Sequence, residues 1–567
     1  MAFSDLLEQV GSTGRFQILH VTFVSMPILM MASHNLLQNF VADVAPHHCA
    51  PHGNLSMSSM GARDVLLATV PLTENGTPER CRRFAQPQWR LLRDSSSESM
   101  QDDTEEIIET ENCEDGWSYN MTEMSSTIIT EWDLVCDRRA FKQMGQTSYM
   151  GGVLVGALLF GGLSDRFGRR ILLLISNLMM AVGGTCAAFS TSFTMFCAFR
   201  ICCGMGLSGL VLNSFSLIVE WIPTRVRTVV GTGTGYCYTT GQLILVAVAY
   251  CIRDWRWLTL AISLPFYVSF LYSWWFLESA RWLVLAKKPE QAVKNLKLVA
   301  RLNGRHAEGD KINLEMLQKS MKKEIACSKN SYSGLDLIRT PTLRTITICL
   351  SAVWFSTSFA YYGLSMDLQK FGVSIYLIQI IFGAVDIPAK IIITICMSLI
   401  GRRPSQCGAL VLAGTMILVN LLVPFELQTL RTSLAVIGKG CLAAAFNCCY
   451  LYSGELYPTV IRILCCLLSQ NGMGWVSMMA RFGAMVAPMV LLLSEDNTWI
   501  SGLIYGGAPI ISGVFAFFLP ETLAQPLPDT IQDVEERGLG QSDTKKLPKK
   551  EDLVMKDSSS VPLKEPV

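Results

Sequence analysis

The hydrophobic pattern of the chain consists of about twelve apolar stretches, each about long enough to cross the ~30 Å hydrocarbon core of a bilayer as a helix. Their centres lie near residues 28, 155, 180, 205, 240, 267, 355, 385, 413, 443, 481 and 509. A charged segment at about residues 279–344 separates them into two groups of six, and a polar segment at about residues 41–142 follows the first stretch. The pattern predicts an all-α membrane protein with twelve transmembrane helices, here called spans one to twelve.

Composition agrees with this pattern. The 567 residues are 50% hydrophobic and only 16% charged, and the mean hydropathy is +0.35, values that are typical of polytopic membrane proteins. The formal net charge of +1 gives no indication of nucleic-acid binding. The start lacks a signal peptide's basic region and cleavage site, and Ala2 stands where myristoylation would require glycine. We therefore expect an uncleaved chain in the lipid bilayer, without a lipid anchor.

Span eleven, at about residues 472–493, carries one charge near its middle, Arg481. Placing arginine at the centre of a membrane helix costs on the order of 2.5–3.5 kcal/mol, so such a residue normally faces protein, a watery cavity or a counter-charge. An interhelical salt bridge is the structural explanation. The functional alternative is a cation in a substrate pathway, which would attract anions.

Span one also contains the polar residues Asn35 and Gln38. They share one face of its helix with Met31. Polar atoms at this depth must be satisfied inside the protein. Hydrogen bonds between helices and a cavity wall are both compatible with this face.

Span eight contains one base, Lys390, and Asp386 lies four residues earlier on the same helical face. A local ion pair between them and anion binding by Lys390 are both compatible with this spacing.

Aromatic residues recur at helical spacing in spans seven and ten. Trp354 and Tyr361 share one face with Tyr362 beside it, and Phe446 lies four residues before Tyr450. Such stripes usually pack in a core. As cavity walls they would accept diverse ring-bearing ligands, while a desolvated cation selects the sign of the ligand's charge.

The polar segment after span one predicts an extracellular loop at residues 41–143. It contains an even number of widely spaced cysteines, consistent with two disulfides in any of three pairings and with an oxidising compartment. It also contains three glycosylation sequons. The cysteines are Cys49, Cys81, Cys113 and Cys136, and the sequon asparagines are Asn54, Asn75 and Asn120.

An outer loop between spans one and two places both termini and the connections after spans two, four, six, eight and ten in the cytoplasm. Those connections are rich in Lys and Arg, with fourteen such residues between positions 279 and 344 alone. This distribution agrees with the positive-inside rule.

An internal repeat relates the two groups of spans. The segment EWIPTRVR at residues 220–227 matches ELYPTVIR at 455–462, GRR at 168–170 matches 401–403, and Glu278 matches Glu521. Three correspondences in the same order imply two homologous, pseudo-symmetric halves.

Acids and bases at these helix ends can form cytoplasmic ion-pair networks that break when the protein changes conformation. A purely structural brace is the alternative. The candidate gating residues are Asp165, Arg166, Arg169, Arg170, Glu220, Arg227, Glu278, Arg281, Arg402, Arg403, Glu455, Arg462 and Glu521.

The segment GGLSDRFGRR at residues 161–170 resembles the signature loop of the major facilitator superfamily, whose fold is twelve helices in two six-helix halves around a central site. More closely, the chain is similar to the organic anion transporters, a branch that includes renal exchangers of organic anions for dicarboxylates. The similarity covers about residues 1–535 and includes MAFSDLLEQVG, ASHNLLQNF, FGVSIYLIQIIFGAVDIPAK, ELYPTVIR and MMARFGAMVAP.

The resemblance implies alternating-access transport of small organic anions, often aromatic, in exchange for an intracellular dicarboxylate such as 2-oxoglutarate, with chloride as a further candidate partner. It implies a plasma-membrane location and no cofactor, metal or catalytic residue. The aromatic pattern adds Tyr361 to the binding residues that the resemblance implies, which are Met31, Asn35, Tyr238, Trp354, Tyr362, Lys390, Phe446, Ser477 and Arg481.

One departure from the family pattern lies before span eleven, where residues 463–469 are an insert of about seven residues. A bulged inner loop there would leave the site intact, whereas a continuous helix would displace one end of the span. The insert could also be an alternative exon.

We therefore expect a cytoplasmic N-terminus at 1–15, an N-terminal half at 16–278, a cytoplasmic linker at 279–344 and a C-terminal half at 345–520. The tail at 521–567 lacks an apolar period and is expected to be disordered.

Other functions are alternatives to anion transport. An organic cation or zwitterion carrier could have the same fold, but related cation carriers have an acid where Arg481 stands. A non-transporting anion receptor is a further alternative. The chain contains no P-loop, HExxH or GxSxG motif, which argues against an enzyme or a primary pump.

Overall fold

The structure is a computed structural model. It describes residues 3–11, 13–51, 61–73, 76–89, 109–121, 123–321, 340–366, 373–424, 426–457, 472–496, 498–523, 525 and 534–535. These ranges contain twelve long helices, which coincide with the twelve predicted spans. They are α1 (Arg15–Leu36), α2 (Ala140–Phe167), α3 (Arg169–Ala188), α4 (Phe193–Trp221), α5 (Thr224–Cys251), α6 (Trp255–Ser273), α7 (Pro341–Met366), α8 (Ile375–Leu399), α9 (Arg402–Leu422), α10 (Gln428–Leu456), α11 (Gly472–Asp496) and α12 (Thr498–Phe517).

Within the described ranges, ten of these helices are long and apolar enough to cross a membrane. The other two, α5 and α6, are less apolar because α5 is rich in glycine and threonine and α6 carries several tryptophans, tyrosines and serines. Helix α5 packs against α1 and α8, and α6 packs against α3. These neighbouring helices can supply hydrogen-bond partners to the polar side chains of α5 and α6, which the hydrocarbon of a bilayer could not.

The packing of the helices repeats the symmetry found in the sequence. In the first half α1 packs on α5, α2 and α3 pack on α4, and α3 packs on α6. In the second half the equivalent helices meet in the same way: α7 on α11, α8 and α9 on α10, and α9 on α12. The main contacts between the halves, α2 with α11 and α5 with α8, are also equivalent to each other. The two halves are therefore related by a pseudo-two-fold axis.

Glycines allow the close approach of α2 and α4. A Cβ on Gly204 would lie within overlap distance of the Tyr149 carbonyl, and one on Gly152 would overlap the Ile201 carbonyl. Small residues at helix crossings let backbones approach closely in membrane proteins.

The segment between α1 and α2 folds into two small antiparallel sheets. Strands β1 (His47–Cys49) and β4 (Trp117–Tyr119) form one sheet, and β2 (Arg82–Phe84) pairs with β3 (Thr110–Asn112) in the other. Of the three possible disulfide pairings, the structure contains Cys49–Cys113 and Cys81–Cys136. We call the side of the helix bundle that carries this segment the loop face.

The opposite side, here called the linker face, is covered by short helices. The linker forms the helices Ala280–Leu285, Pro289–Leu302, His306–Asp310 and Leu314–Ser320. A further helix, Phe3–Gly11, which the sequence pattern did not predict, packs on them through Leu6, Leu7 and Val10. The side chain of Asn303 fastens this helix, because it accepts from the Phe16 N–H and donates to the Val10 carbonyl.

Several predictions lie outside the described residues. They concern Asn54, Asn75, Arg462, the insert at 463–469, the side chain of Arg227 and most of the tail. Asn120, the remaining sequon asparagine, is exposed.

Candidate functional site

A chain of hydrogen bonds joins four helices in the middle of the bundle. The Tyr149 hydroxyl on α2 donates to Oδ1 of Asn35 on α1 over 2.9 Å, and the Asn35 amide donates to the Tyr238 hydroxyl on α5 over 3.3 Å. Tyr238 in turn hydrogen-bonds with Tyr362 on α7. The structure therefore brings together three of the predicted binding residues, one from each of α1, α5 and α7, and adds Tyr149.

The aromatic residues of α7 and α10 form one cluster. Tyr361 lies 5.2 Å from Phe446 and 5.5 Å from Tyr362 between ring centroids, and Trp354 lies 6.2 Å from Phe446 and 4.5 Å from Tyr450. Trp354 itself is only 1% exposed, and its indole N–H donates to Ser453. Trp354 thus supports the cluster from behind, while Tyr362 and Phe446 are half-buried and Tyr450 is exposed.

Arg481 lies half-buried on α11. Its Nη1 donates to the carbonyl and the hydroxyl of Ser477, over 3.2 and 2.6 Å. Its electrostatic neighbours are Tyr450 and Tyr362. Among the described residues no carboxylate pairs with Arg481, so the interhelical salt bridge considered from the sequence is not found in this part of the chain. Its charge is therefore available to a ligand.

Lys390 contacts the other half of the protein. Its Nζ donates to the Gly235 carbonyl over 2.9 Å and to the Thr239 hydroxyl over 2.8 Å, both on α5. Asp386 instead pairs with Lys439 on α10, with 3.6 Å between Nζ and Oδ1, and both side chains are 2% exposed. The local Lys390–Asp386 ion pair that the spacing suggested is thus replaced by a pair between two helices.

Further polar residues surround this site and were missed in the sequence. Gln242 donates to the Tyr361 hydroxyl, which donates to Asp386 over 3.2 Å. Lys439 lies over the Tyr361 ring, 3.3 Å from its centroid. These residues interrupt apolar spans, as Arg481 does, and that interruption was the signal that could have identified them.

The face shared by Met31, Asn35 and Gln38 does not act as one surface. Met31 is half-buried against the core of the first half, whereas the Gln38 amide donates to the Lys142 carbonyl at the loop face. On the linker-face side of Met31, a cavity of about 280 Å³ opens between α1 and α5. Its lining residues are Val21, Thr22, Ser25, Met26, Leu29, Val230, Gly233, Thr234 and Cys237.

Two equivalent glutamates cap helices at the linker face. Glu278 accepts from the backbone N–H groups of Arg169 and Arg170 at the start of α3, over 3.2 and 3.1 Å. Glu521 accepts in the same way from Arg402 and Arg403 at the start of α9, over 2.9 and 3.0 Å. A carboxylate is favoured at a helix N-terminus because the first N–H groups are unpaired and the helix dipole is positive there.

The pKa values of the two carboxylates are shifted in opposite directions. Burial raises the pKa of Glu278 above its usual value, despite the hydrogen bonds from Ser279, Arg170 and Arg169. Burial would also raise the pKa of Glu521, but it is more exposed, and four backbone hydrogen bonds hold its pKa below the usual value. The two caps therefore share the same hydrogen-bond geometry but differ in the direction of the pKa shift of their carboxyl groups.

Ion pairs flank both caps. Arg169 lies 3.3 Å from Asp165 and 3.4 Å from Glu220, and in the second half Arg402 pairs with Glu455 over 3.1 Å. Each of these pairs joins helices of a single half.

The other candidate gating residues have different contacts. Arg166 and Arg403 lie over the rings of Phe167 and Phe517, and Arg170 donates to the Trp274 carbonyl. Arg281 is half-buried. Within the described residues, no group of three or more His, Cys, Asp or Glu side chains could hold a metal ion.

Known proteins resemble the chain along its whole length. A family model described as sugar (and other) transporter matches residues 137–532. Solute carrier family 22 member 6 of Danio rerio is 81% identical over 567 residues, which cover 100% of both chains. Organic anion transporter 3 of Pongo abelii is 48% identical over 563 residues, which cover 99% of this chain and 98% of that protein.

A solved structure resembles the fold. The inward-open conformation of the xylose transporter XylE from E. coli matches with a TM-score of 0.54 and 18% sequence identity, and the match covers 70% of this chain and 90% of that chain. At this identity the likeness shows the fold alone.

Proposed function

The chain belongs to the organic anion transporters of solute carrier family 22 and has the major facilitator fold, and from this premise we propose that it transports small organic anions, often aromatic, across the plasma membrane. It acts as a secondary active transporter by alternating access, in exchange for an intracellular dicarboxylate such as 2-oxoglutarate. Chloride is a further candidate partner.

The observation that carries this proposal is the charge in the middle of the bundle. Among the described residues, five charged side chains lie at least seven positions from either end of the long helix that carries them. Four of them are bases and one is an acid. They are Arg200, Lys390, Lys439, Arg481 and Asp386. This region therefore has a formal excess of three positive charges, which is costly in a low-dielectric environment unless anions compensate it. The same excess argues against an organic cation as substrate.

The geometry supports distinct roles for the binding residues. Arg481 supplies a guanidinium with free donors for a carboxylate, and the half-buried Tyr362 and Phe446 supply ring surfaces for the aromatic part. The predicted binding residue Tyr361 is buried and packs against these two rings from behind. Lys390 lies at the contact between α8 and α5, so an anion bound there competes with Gly235 and Thr239 for its ammonium group. Anion binding at Lys390 thus loosens a contact between the halves, which is the kind of event that alternating access requires.

The proposed topology places both termini and the linker in the cytoplasm and residues 41–143 outside, with glycans at Asn54, Asn75 and Asn120. The two disulfides and the exposure of Asn120 support this orientation. The domain boundaries at 16–278 and 345–520 follow from it.

Uptake by vesicles containing the purified protein tests the function. Labelled p-aminohippurate, an aromatic monoanion, is expected to enter faster when the vesicles contain 2-oxoglutarate than when they are empty. Tetraethylammonium serves as the cation control, and gluconate in place of chloride tests the chloride requirement. Binding of the anion without uptake would indicate a receptor, and uptake of the cation instead of the anion would contradict the proposal.

A further inference from the structure

Arg200 on α4 is a buried cation that the binding site described above does not use. Its side chain is 1% exposed. Nη2 makes long hydrogen bonds of 3.4 Å to the His34 carbonyl and to Oε1 of Gln146, while Nε and Nη1 have no hydrogen-bond partner among the described residues. The guanidinium carbon lies over the Tyr149 ring, 4.1 Å from its centroid.

No carboxylate pairs with Arg200 in the described part of the chain. The ionisable groups in electrostatic range are Tyr149, Cys197, Cys203 and His34, and tyrosine and cysteine side chains are neutral at pH 7. Lys439 provides the contrast, because it too is buried over a tyrosine ring but is paired with Asp386. One buried cation is therefore neutralised within the protein and the other is not.

Arg200 is linked through Tyr149 to the candidate binding residues. The Tyr149 ring that it covers carries the hydroxyl that donates to Asn35, and Asn35 donates to Tyr238. A cation on the ring of a phenol strengthens the hydroxyl as a donor, and linked hydrogen bonds polarise one another in a low-dielectric interior. The charge of Arg200 thus acts on the candidate binding residues both directly and through this chain of hydrogen bonds.

We propose that Arg200 is a specificity-determining residue, a fixed positive charge that favours anions in proportion to their valence without touching them. The proposal rests on the proposed function, since it concerns the selectivity of the same site. The Coulomb energy between a fixed charge and a ligand is linear in the ligand's charge. Arg200 therefore stabilises a bound dianion by twice the free energy that it gives a monoanion of similar shape, which favours dicarboxylates as exchange partners.

This linearity gives a quantitative test with glutarate and its monomethyl ester, two ligands of similar shape with charges of −2 and −1. Both are measured as inhibitors of p-aminohippurate uptake in vesicles. For Arg200→Gln, the expected loss of affinity is about three- to tenfold for the ester and roughly the square of that factor, about ten- to a hundredfold, for glutarate. Arg200→Lys keeps the charge and is expected to retain most of the wild-type preference for glutarate.

A matched control removes a positive charge elsewhere. Arg256 on α6 lies at the loop face, where it pairs with Glu131 and is about one-third exposed. Arg256→Gln is expected to leave the ratio of the two affinities unchanged, because solvent and Glu131 screen its charge. If Arg200→Gln lowers the amount of folded protein, Arg200→Met serves as the neutral variant, since it leaves no polar atom unpaired.

Affinity constants do not depend on the amount of protein, so a merely structural role predicts equal losses for the two ligands. Equal losses, or no loss, in the neutral variants would overturn the role of Arg200. An equal loss of both ligands in Arg200→Lys would also overturn it. Failure of the wild type to transport p-aminohippurate would instead overturn the proposed function.

Discussion

Arg481 and Lys439 are both bases within membrane helices, but their surroundings differ. Lys439 lies beside a buried carboxylate and over the ring of Tyr361 on α7. Among the described residues, Arg481 hydrogen-bonds to a serine of its own helix and has two tyrosines as electrostatic neighbours, and it is half-buried. A paired charge contributes to folding, whereas an unpaired charge is left for a ligand, as we propose for Arg481.

We expect Arg481→Ala to leave an expressed, folded protein whose anion uptake is lost or much weakened. Removing a desolvated, charge-assisted contact costs about 2–5 kcal/mol, or about thirty- to several thousand-fold in affinity. The measurement is the uptake of p-aminohippurate, normalised to the amount of protein at the cell surface.

Two further variants at this position control for the charge. Arg481→Lys should restore uptake in part, because it keeps the charge but loses the planar fork that matches a carboxylate. Arg481→Asp should abolish anion uptake. Full uptake by well-expressed Arg481→Ala would show that the residue is not part of the site.

The Asp386–Lys439 pair leads to a prediction about folding. Lys439→Ala leaves an uncompensated buried carboxylate, so we expect a loss of about 3–5 kcal/mol in stability and little folded protein. The double variant Asp386→Asn, Lys439→Gln removes both charges and should recover folded protein, as judged by size-exclusion chromatography.

Lys390→Ala is the matched comparison, because it removes a neighbouring base from the same region. It should weaken anion uptake and leave the amount of folded protein nearly unchanged. Asp386→Asn alone should lower the amount of folded protein, because it leaves Lys439 unpaired. If adding Lys390→Ala, rather than Lys439→Gln, to Asp386→Asn recovered the folded protein, the assigned ion pair would be wrong.

At the scale of the element, the helix starts at the linker face depend on glycine. Gly168 has φ of 97° and ψ of 157°, a conformation that is essentially limited to glycine, and a Cβ there would overlap the Glu278 carboxylate. Gly401 repeats this arrangement with φ of 112° and Glu521. Each glycine lets the capping carboxylate approach the helix start.

Gly168→Ala should therefore destabilise the protein by about 1–3 kcal/mol, seen as a lower melting temperature of the purified protein. Gly161→Ala in the same segment is the control, because a Cβ at that position meets nothing within 4 Å and alanine favours the helix. Equal melting temperatures for the two variants would contradict the role of the cap.

The capping glutamates should give opposite pH dependences. The pKa of Glu521 is held below 4.5, so its stabilising contribution is complete above that pH and is lost as the pH falls through the lowered pKa. Glu521→Gln should melt below the wild type at pH 7, and the difference should shrink below pH 4.5.

Glu278 supplies the contrast, because burial raises its pKa. Its contribution is most favourable at low pH and declines as the pH rises through the raised pKa. The melting temperature of the wild type, relative to that of Glu278→Gln, should therefore be highest at low pH and should fall as the pH rises through the raised pKa. A parallel response of the two variants would contradict the opposite pKa shifts.

At the scale of the whole molecule, hydrogen bonds near the loop face join the two halves. The Asn39 amide donates to the Ser365 carbonyl over 2.9 Å and to Oε1 of Gln379 over 3.2 Å, and Tyr376 donates to the carbonyl of Glu123. Toward the linker face, α8 exposes Ile391, Ile395 and Leu399. The loop that carries the disulfides thus lies over the side on which the halves meet.

The topology of the whole chain can be tested through this loop. Glycosidase treatment should increase the gel mobility of the protein from cells, and Asn120→Gln should produce part of that shift. Outside-only proteases should cut the loop in intact cells. Protection of the loop from protease and from glycosidase would contradict the orientation.

Much of this architecture could be predicted from the sequence. The apolar stretches indicated all twelve long helices, because a bilayer requires about twenty apolar residues for each span. The repeats at 168–170 and 401–403 indicated two related halves, and the helix packing confirms that inference. The helix Phe3–Gly11 was missed because its apolar face is short and becomes informative only against the linker helices.

The class of protein, its spans and the unusual charges within them can therefore be predicted from the sequence alone. Which of those charges are neutralised depends on the tertiary structure. Asp386 lies four residues from Lys390 but pairs with Lys439, and Arg200 and Arg481 have no carboxylate partner among the described residues. The physical reason is that hydropathy is a property of each residue type and can be summed along the chain, whereas ion pairing depends on distances between helices that are far apart in the chain.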